Sequence, residues 1–187
     1  MTQILGISGS LRRDSHNTSL LRAAAEVAGP DVEFELYKGL KEIPPYDEDD
    51  DVHPRPESVA RLNEAIAKAD AVFFATPEYN SSIPGQLKNA IDWVSRPVAT
   101  NVLRNKPVTV VGASTGAFGA VWAQAELRKV LTAVGARVLD LEVPVSHAHT
   151  RFEEGALTDE EIRASLEEAI EALADEARLR EGMKVVA

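Results

Sequence analysis

The chain has no cysteine in its 187 residues. That one absence excludes disulfide frameworks, thiolate metal centres and cysteine nucleophiles. No apolar run reaches the roughly 18 residues that a membrane-spanning helix needs. The opening MTQILGISGS lacks the charged, apolar and cleavage regions of a secretion signal. A cytoplasmic protein that makes no membrane contact is therefore expected. Positive charge is also scarce, with 20 Lys and Arg against 30 Asp and Glu, a net charge of -10. A nucleic-acid surface needs clustered cations to displace counterions, so no nucleic-acid partner is expected.

What is present suits a single domain. With 44% apolar residues the chain can bury a core without staples, and one domain over residues 1–187 is expected. The acid is unevenly placed. Residues 47–51 (DEDDD) contribute -5, and residues 153–181 hold eleven acids and three arginines, leaving the rest of the chain at +3. An acidic protein of this kind remains compatible with an anionic small ligand.

Strand and helix patterns alternate along the chain. QILGISGS is a short apolar strand, followed by a helix over 15–28 with Leu20, Leu21, Ala24 and Val27 on one face. Residues 32–37 alternate as a half-exposed edge strand. Residues 39–56 contain four prolines and the acidic run, and form a loop. A helix over 57–69 leads to the unbroken apolar strand after Asp70, as in a central parallel strand. Helix 84–95, strand 106–114, helix 119–134 and strand 136–145 follow. A last helix, over 158–180, opens with the capping box Thr158-x-x-Glu161, and the seven residues after it read as a tail. Five strands separated by helices predict an α/β three-layer sandwich, whose natural order at this length is the flavodoxin-like 2-1-3-4-5. Trp93 and Trp122 are expected in the core or in a subunit contact.

Three segments leave the carboxyl ends of strands where such sheets bind ligands: 8–17, 76–85 and 112–119. The first joins strand to helix with Ser8, Ser10, Ser15, Asn17, Thr18, Arg12 and Arg13. Free amides, hydroxyls and two cations suit a phosphate. Neither a Walker loop nor a G-x-G-x-x-G fingerprint is present. The second, held by Pro77 and Pro84, suits a planar heterocycle, with Tyr79 offering a stacking face. The third is rich in small residues, which permit close backbone approach. It also matches the G-x-S-x-G of a serine hydrolase at Ser114, with Asp140 and His147 or His149 following in triad order. Asp140 lies inside a predicted strand, which counts against that alternative. His147 and His149 have no third metal ligand nearby in the sequence, and Asp47–Asp51 lacks an EF-hand pattern. No metal site is expected.

The segments GSLRRDSHN (9–17), PEYNSSIPGQLKNAIDW (77–93) and GASTGAFG (112–119) resemble, in this order, the motifs of the NADPH-dependent FMN reductase family. That family includes flavodoxin-like quinone, chromate and azo-dye reductases. The resemblance implies an FMN phosphate held by Ser10, Arg12, Ser15 and Asn17. It implies an isoalloxazine lined by Pro77, Glu78, Tyr79 and Asn80, largely through backbone, with Ser114 and Gly116 along the ring or ribityl chain. NADPH or NADH would be co-substrate and a quinone, flavin, azo compound or metal oxyanion the acceptor, used in turn. The chain itself would supply no catalytic residue, because the flavin carries the hydride. A homodimer or homotetramer is implied, with helix 85–95 as a contact. Two further alternatives are an electron carrier without its own NAD(P)H activity and an anion-binding regulatory domain.

Overall fold

The structure is a computed structural model describing residues 1–185, with side chains described through Arg180. Its elements are β1 (Thr2–Ser8), α1 (His16–Val27), β2 (Val32–Tyr37), α2 (Glu57–Lys68), β3 (Ala71–Ala75), α3 (Gly85–Val94), β4 (Pro107–Ala113), α4 (Val121–Ala133), β5 (Arg137–Val138), β6 (Pro144–Val145), β7 (Phe152–Glu153), β8 (Ala156–Leu157) and α5 (Glu160–Val185). The sheet runs β2-β1-β3-β4-β5, all parallel, with β6 also on β4. This is the flavodoxin-like three-layer order expected from the alternation of elements.

The period-two alternation of each central strand divides the core into two layers. Leu5 and Ile7, Val72 and Phe74, and Val108 and Val110 face α2, α3 and α4, where they meet Leu62, Ile66, Trp93 and Leu127. Ile4, Phe73, Ala75 and Val111 face the other way, against Leu20 and Leu21 of α1 and Leu166, Ile170 and Leu173 of α5. Only β1, β3 and β4 are apolar on both faces. They are also the strands flanked by neighbours on both sides. Lys106, at the start of β4, is buried because its ammonium donates to the carbonyl of Ala69, at the C-terminal end of α2.

Four details differ from the sequence expectation. The strand expected over 136–145 is interrupted. Leu139 N–H still donates to the Val108 carbonyl at 2.9 Å, but pairing resumes only where Gly112 N–H donates to Val143 at 3.2 Å. Between them Asp140 and Glu142 are exposed, and Glu142 pairs with Arg128 of α4. Helix α4 begins at Val121 because Gly119 and Ala120 both adopt left-handed φ, 60° and 62°. A side chain at Gly119 would also sit 2.6 Å from the Pro144 backbone. Helix α5 is capped by Asp159, whose carboxylate accepts from the Glu161 and Ile162 N–H groups at 3.1 Å. The Thr158 hydroxyl instead donates to the Arg151 carbonyl. The expected tail is helical as far as Val185, and residues 186–187 lie outside the described residues. Trp93 is core, with its indole N–H donating to the Pro44 carbonyl at 2.9 Å.

Phe73 is fully buried in β3, between α1 and α5, with its ring edge-on to Phe34. Phe73→Ala is expected to lower unfolding free energy by about 3–5 kcal/mol, read as a shift of the urea midpoint at unchanged slope.

Candidate functional site

The carboxyl ends of β1, β3 and β4 bring the three Gly- and Ser-rich segments to one end of the sheet, each tied to its neighbour by backbone. Gly9 N–H donates to Ala75 O at 2.8 Å, and Thr76 N–H to Val111 O at 2.9 Å. The loops therefore begin from fixed positions.

In the first loop Ser15 caps α1, its hydroxyl accepting from Asn17 N–H at 3.2 Å. The buried Asn17 side chain crosses to β4. Its Nδ2 donates to Ala113 O, and its Oδ1 accepts from Ala113 N–H, both at 2.9 Å. Ser10 Oγ accepts from Arg12 N–H, and the Thr18 hydroxyl donates to Ser8 Oγ. Leu11, Arg12 and Arg13 are exposed. No acceptor among the described residues takes the N–H of Leu11, Arg13 or His16. Free amides, the α1 N-terminus and the Arg12 guanidinium form a donor set suited to a phosphate dianion. His16 stacks on Phe152 with ring centroids 5.5 Å apart. Its pKa lies below the ordinary value because burial, then Arg12, then His149 disfavour the imidazolium.

The second loop folds back on itself. Tyr79 and Ser82 exchange both backbone hydrogen bonds, at 3.0 and 3.1 Å. The turn between them puts Asn80 and Ser81 at φ 52° and 60°, the primed geometry that Asn tolerates. Glu78 does not simply point into a cleft. Its carboxylate accepts from the Trp122 and Ala123 N–H groups at 3.1 and 3.2 Å, so it caps α4 and ties this loop to it. Tyr79 is 52% exposed.

In the third loop Ser114 Oγ accepts from Gly116 N–H at 3.1 Å. No hydrogen bond joins Ser114 to His147 or His149 among the described residues, and exposed Asp140 lies in the break between β5 and β6. The hydrolase triad is therefore not assembled. A β-carbon at Gly116 would meet only Ser114 Oγ, at 3.5 Å. Packing within the chain thus does not demand glycine there, whereas a ring lying against the loop would. The segment that braces this loop carries no motif that marks it as a brace. His147 N–H donates to Gly116 O and Ala148 N–H to Ser114 O, both at 3.0 Å. Only Pro144, ending an apparent strand, marked its start. Among the described residues no group of three or more His, Asp or Glu side chains could hold a metal ion.

A doubly wound parallel sheet with an anion-type loop after β1, and two backbone-lined loops beside it, defines the class as a flavodoxin-like domain. A family profile described as NADPH-dependent FMN reductase matches residues 2–150. The chain is 42% identical over 173 residues, 91% of its length and 92% of the relative's, to an NAD(P)H-dependent FMN reductase of Pseudomonas aeruginosa. It is 37% identical to a 2-hydroxy-1,4-benzoquinone reductase of Burkholderia, covering 88% of this chain and 90% of that one. The flavoenzyme NAD(P)H:(acceptor) oxidoreductase FerB of Paracoccus denitrificans superposes with a TM-score of 0.82 at 36% identity, covering 95% and 98% of the two chains. The chain belongs to the NADPH-dependent FMN reductase family. It is an oxidoreductase that takes FMN as cofactor and NAD(P)H as electron donor.

Asn17→Ala strands two backbone groups of Ala113 and is expected to cost about 2–3 kcal/mol of stability, measured by urea unfolding. Glu78→Ala is expected to cost about 1 kcal/mol by uncapping α4, seen as a smaller midpoint shift in the same assay.

Proposed function

We propose that this chain acts as a single FMN-binding domain over residues 1–187, passing reducing equivalents from NAD(P)H to a small acceptor of the quinone, flavin, azo or metal-oxyanion type. The observation that carries this reading is the convergence of three braced loops that offer amides, hydroxyls and one guanidinium, without a nucleophile–base pair. Such a set binds and orients but does not itself break bonds, so the reactive group is borrowed. Bound FMN would supply two-electron hydride acceptance and donation.

The chain's own contribution is positional. Arg12, Ser10 and the amides around Ser15 would hold the phosphate, reinforced by the α1 dipole. Asn17 acts on this loop by fixing it to β4 rather than by offering its side chain outward. Pro77, Glu78, Tyr79 and Asn80 would line one side of the ring, and Ser114 and Gly116 the other. Donor and acceptor would use the same open face in turn, as ping-pong kinetics require. Exposed Tyr79, Phe118 and Trp122 sit around that end of the fold. Phe118 and Trp122 are in edge-to-face contact at 5.0 Å, and a second copy packing on them would give a homodimer or homotetramer. No described helix is long and apolar enough to cross a membrane, and a cytoplasmic location fits this reading.

The purified protein is expected to show oxidised-flavin absorption and to bleach under anaerobic NADPH. A yellow protein that NADPH leaves unbleached would make it an electron carrier, and a colourless protein that FMN cannot reconstitute would sink both readings. Arg12→Ala removes a charge-assisted contact and is expected to weaken FMN binding by about 1.5–3 kcal/mol, measured by flavin fluorescence titration of the apoprotein.

A further inference from the structure

A second feature shares only the first loop with the flavin cradle. On the far side of β1 from β3 lies an open cavity of about 930 Å³, between the residue 8–13 loop, α1 and the carboxyl end of β2. Its cations are Arg12, Arg13, Arg22, Lys38 and Lys41, all exposed, and its single acid is Glu35. None of the five cations forms an ion pair within the described residues. The nearby Glu42 is engaged instead by Arg61 of α2. A chain of net charge -10 thus gathers a local excess of +4 in the lining of this cavity, with no ion pair to it among the described residues. Like charges crowded without partners are unfavourable in the free protein, and a multiply charged anion relieves that cost.

The floor of the cavity is not polar. Leu21, Phe34, Leu36, Tyr37 and Leu40 supply an apolar, partly aromatic wall beneath the cationic rim. An apolar slot with clustered cations fits a flat heterocycle bearing phosphate, and the volume is that of a small-ligand site. The FMN ring does not account for it, although Ser10 and Arg12 of the phosphate loop line its near wall. The cradle for the ring lies after β3 and β4, whereas Lys38 and Lys41 follow β2, the edge strand on the other side of β1.

We infer that this cavity receives the adenosine end of the reduced dinucleotide, and that Lys38 and Lys41, with Arg13 and Arg22, engage its 2′-phosphate and so set a preference for NADPH over NADH. The inference rests on the reductase reading above. The 2′-phosphate adds close to two negative charges at pH 7 and is the sole difference between the two donors. Arg12 and Ser10 border both sites, so the phosphate of FMN and the phosphates of the dinucleotide lie on opposite sides of one loop.

The test pairs binding with kinetics, using the Lys38→Ala/Lys41→Ala double variant, whose two positions are exposed and outside the flavin cradle. In calorimetric titrations of wild-type protein, 2′,5′-ADP is expected to bind at least about tenfold more tightly than 5′-AMP, and the variant to lose that margin. With FMN loaded, the variant's kcat/KM for NADPH is expected to fall by about tenfold or more, through KM, with NADH changed less than about twofold. Equal losses with both donors, or 2′,5′-ADP binding no better than 5′-AMP, would overturn the inference. Competition of 2′,5′-ADP by free FMN alone, and not by NADPH, would assign the cavity to a flavin phosphate and overturn it equally. Failure of the reductase reading has a different signature, a protein that retains no flavin and oxidises neither donor, while the 2′,5′-ADP titration still reports on the cavity.

Discussion

The side chain of Asn17 joins the first turn of α1 to the last residue of β4 by two opposed hydrogen bonds, each 2.9 Å long and spanning 96 positions of sequence. An amide side chain can donate to a peptide carbonyl through its NH2 group while its oxygen accepts from the same residue's N–H. In a buried setting either half-bond left unmade is expensive. The bridge therefore sets where the β1–α1 loop stands relative to the β4 loop. Gly9 and Thr76 do the same between β1, β3 and β4, and Glu78 does it between the β3 loop and α4. Binding a cofactor between loops held in this way costs little conformational entropy, because the protein has ordered them on folding.

The same scaffold explains why an oxidoreductase of this kind needs so few special residues. The two core layers hold the strand ends in register, and the strand ends present backbone. Most of what would touch a flavin is amide, hydroxyl or glycine, and the positive charge that the first loop exposes comes from Arg12 and Arg13, next to an exposed Asp14. Several side chains that look most chemical in sequence also serve as braces. Asn17 is tied to Ala113, Glu78 to α4, and Ser15 to its own helix.

Period-two and helical patterns made the sheet order, the two-sided burial of β1, β3 and β4, and the position of all three loops legible from sequence. These follow from local hydrophobic spacing and from handedness rules that bind every such chain. The break between β5 and β6 was not legible. An edge segment pairs on one side only, so a cross-link such as Glu142 to Arg128 competes with the ladder, and residue types do not reveal which wins. The Thr158 capping box failed for a similar reason. Asp159 is an equally good cap, and the β7–β8 hairpin claims the Thr158 hydroxyl through Arg151. The basic cavity was invisible because its cations come from positions 12, 13, 22, 38 and 41, two elements and a loop apart, in a chain whose overall charge points the other way.

The interrupted fifth strand has a consequence for behaviour in concentrated solution. An open sheet exposes two edges, and each offers unpaired backbone to a neighbouring molecule. Here one edge is cut into two short pieces, with Asp140 and Glu142 exposed in the gap. The other is β2, whose Glu33 and Glu35 are exposed along its length. Both rims of the sheet carry acid at the places where another strand would have to register. A crowd of identical copies would thus be turned away from fibrous, edge-to-edge stacking, leaving association to side-chain surfaces such as the Phe118–Trp122 pair.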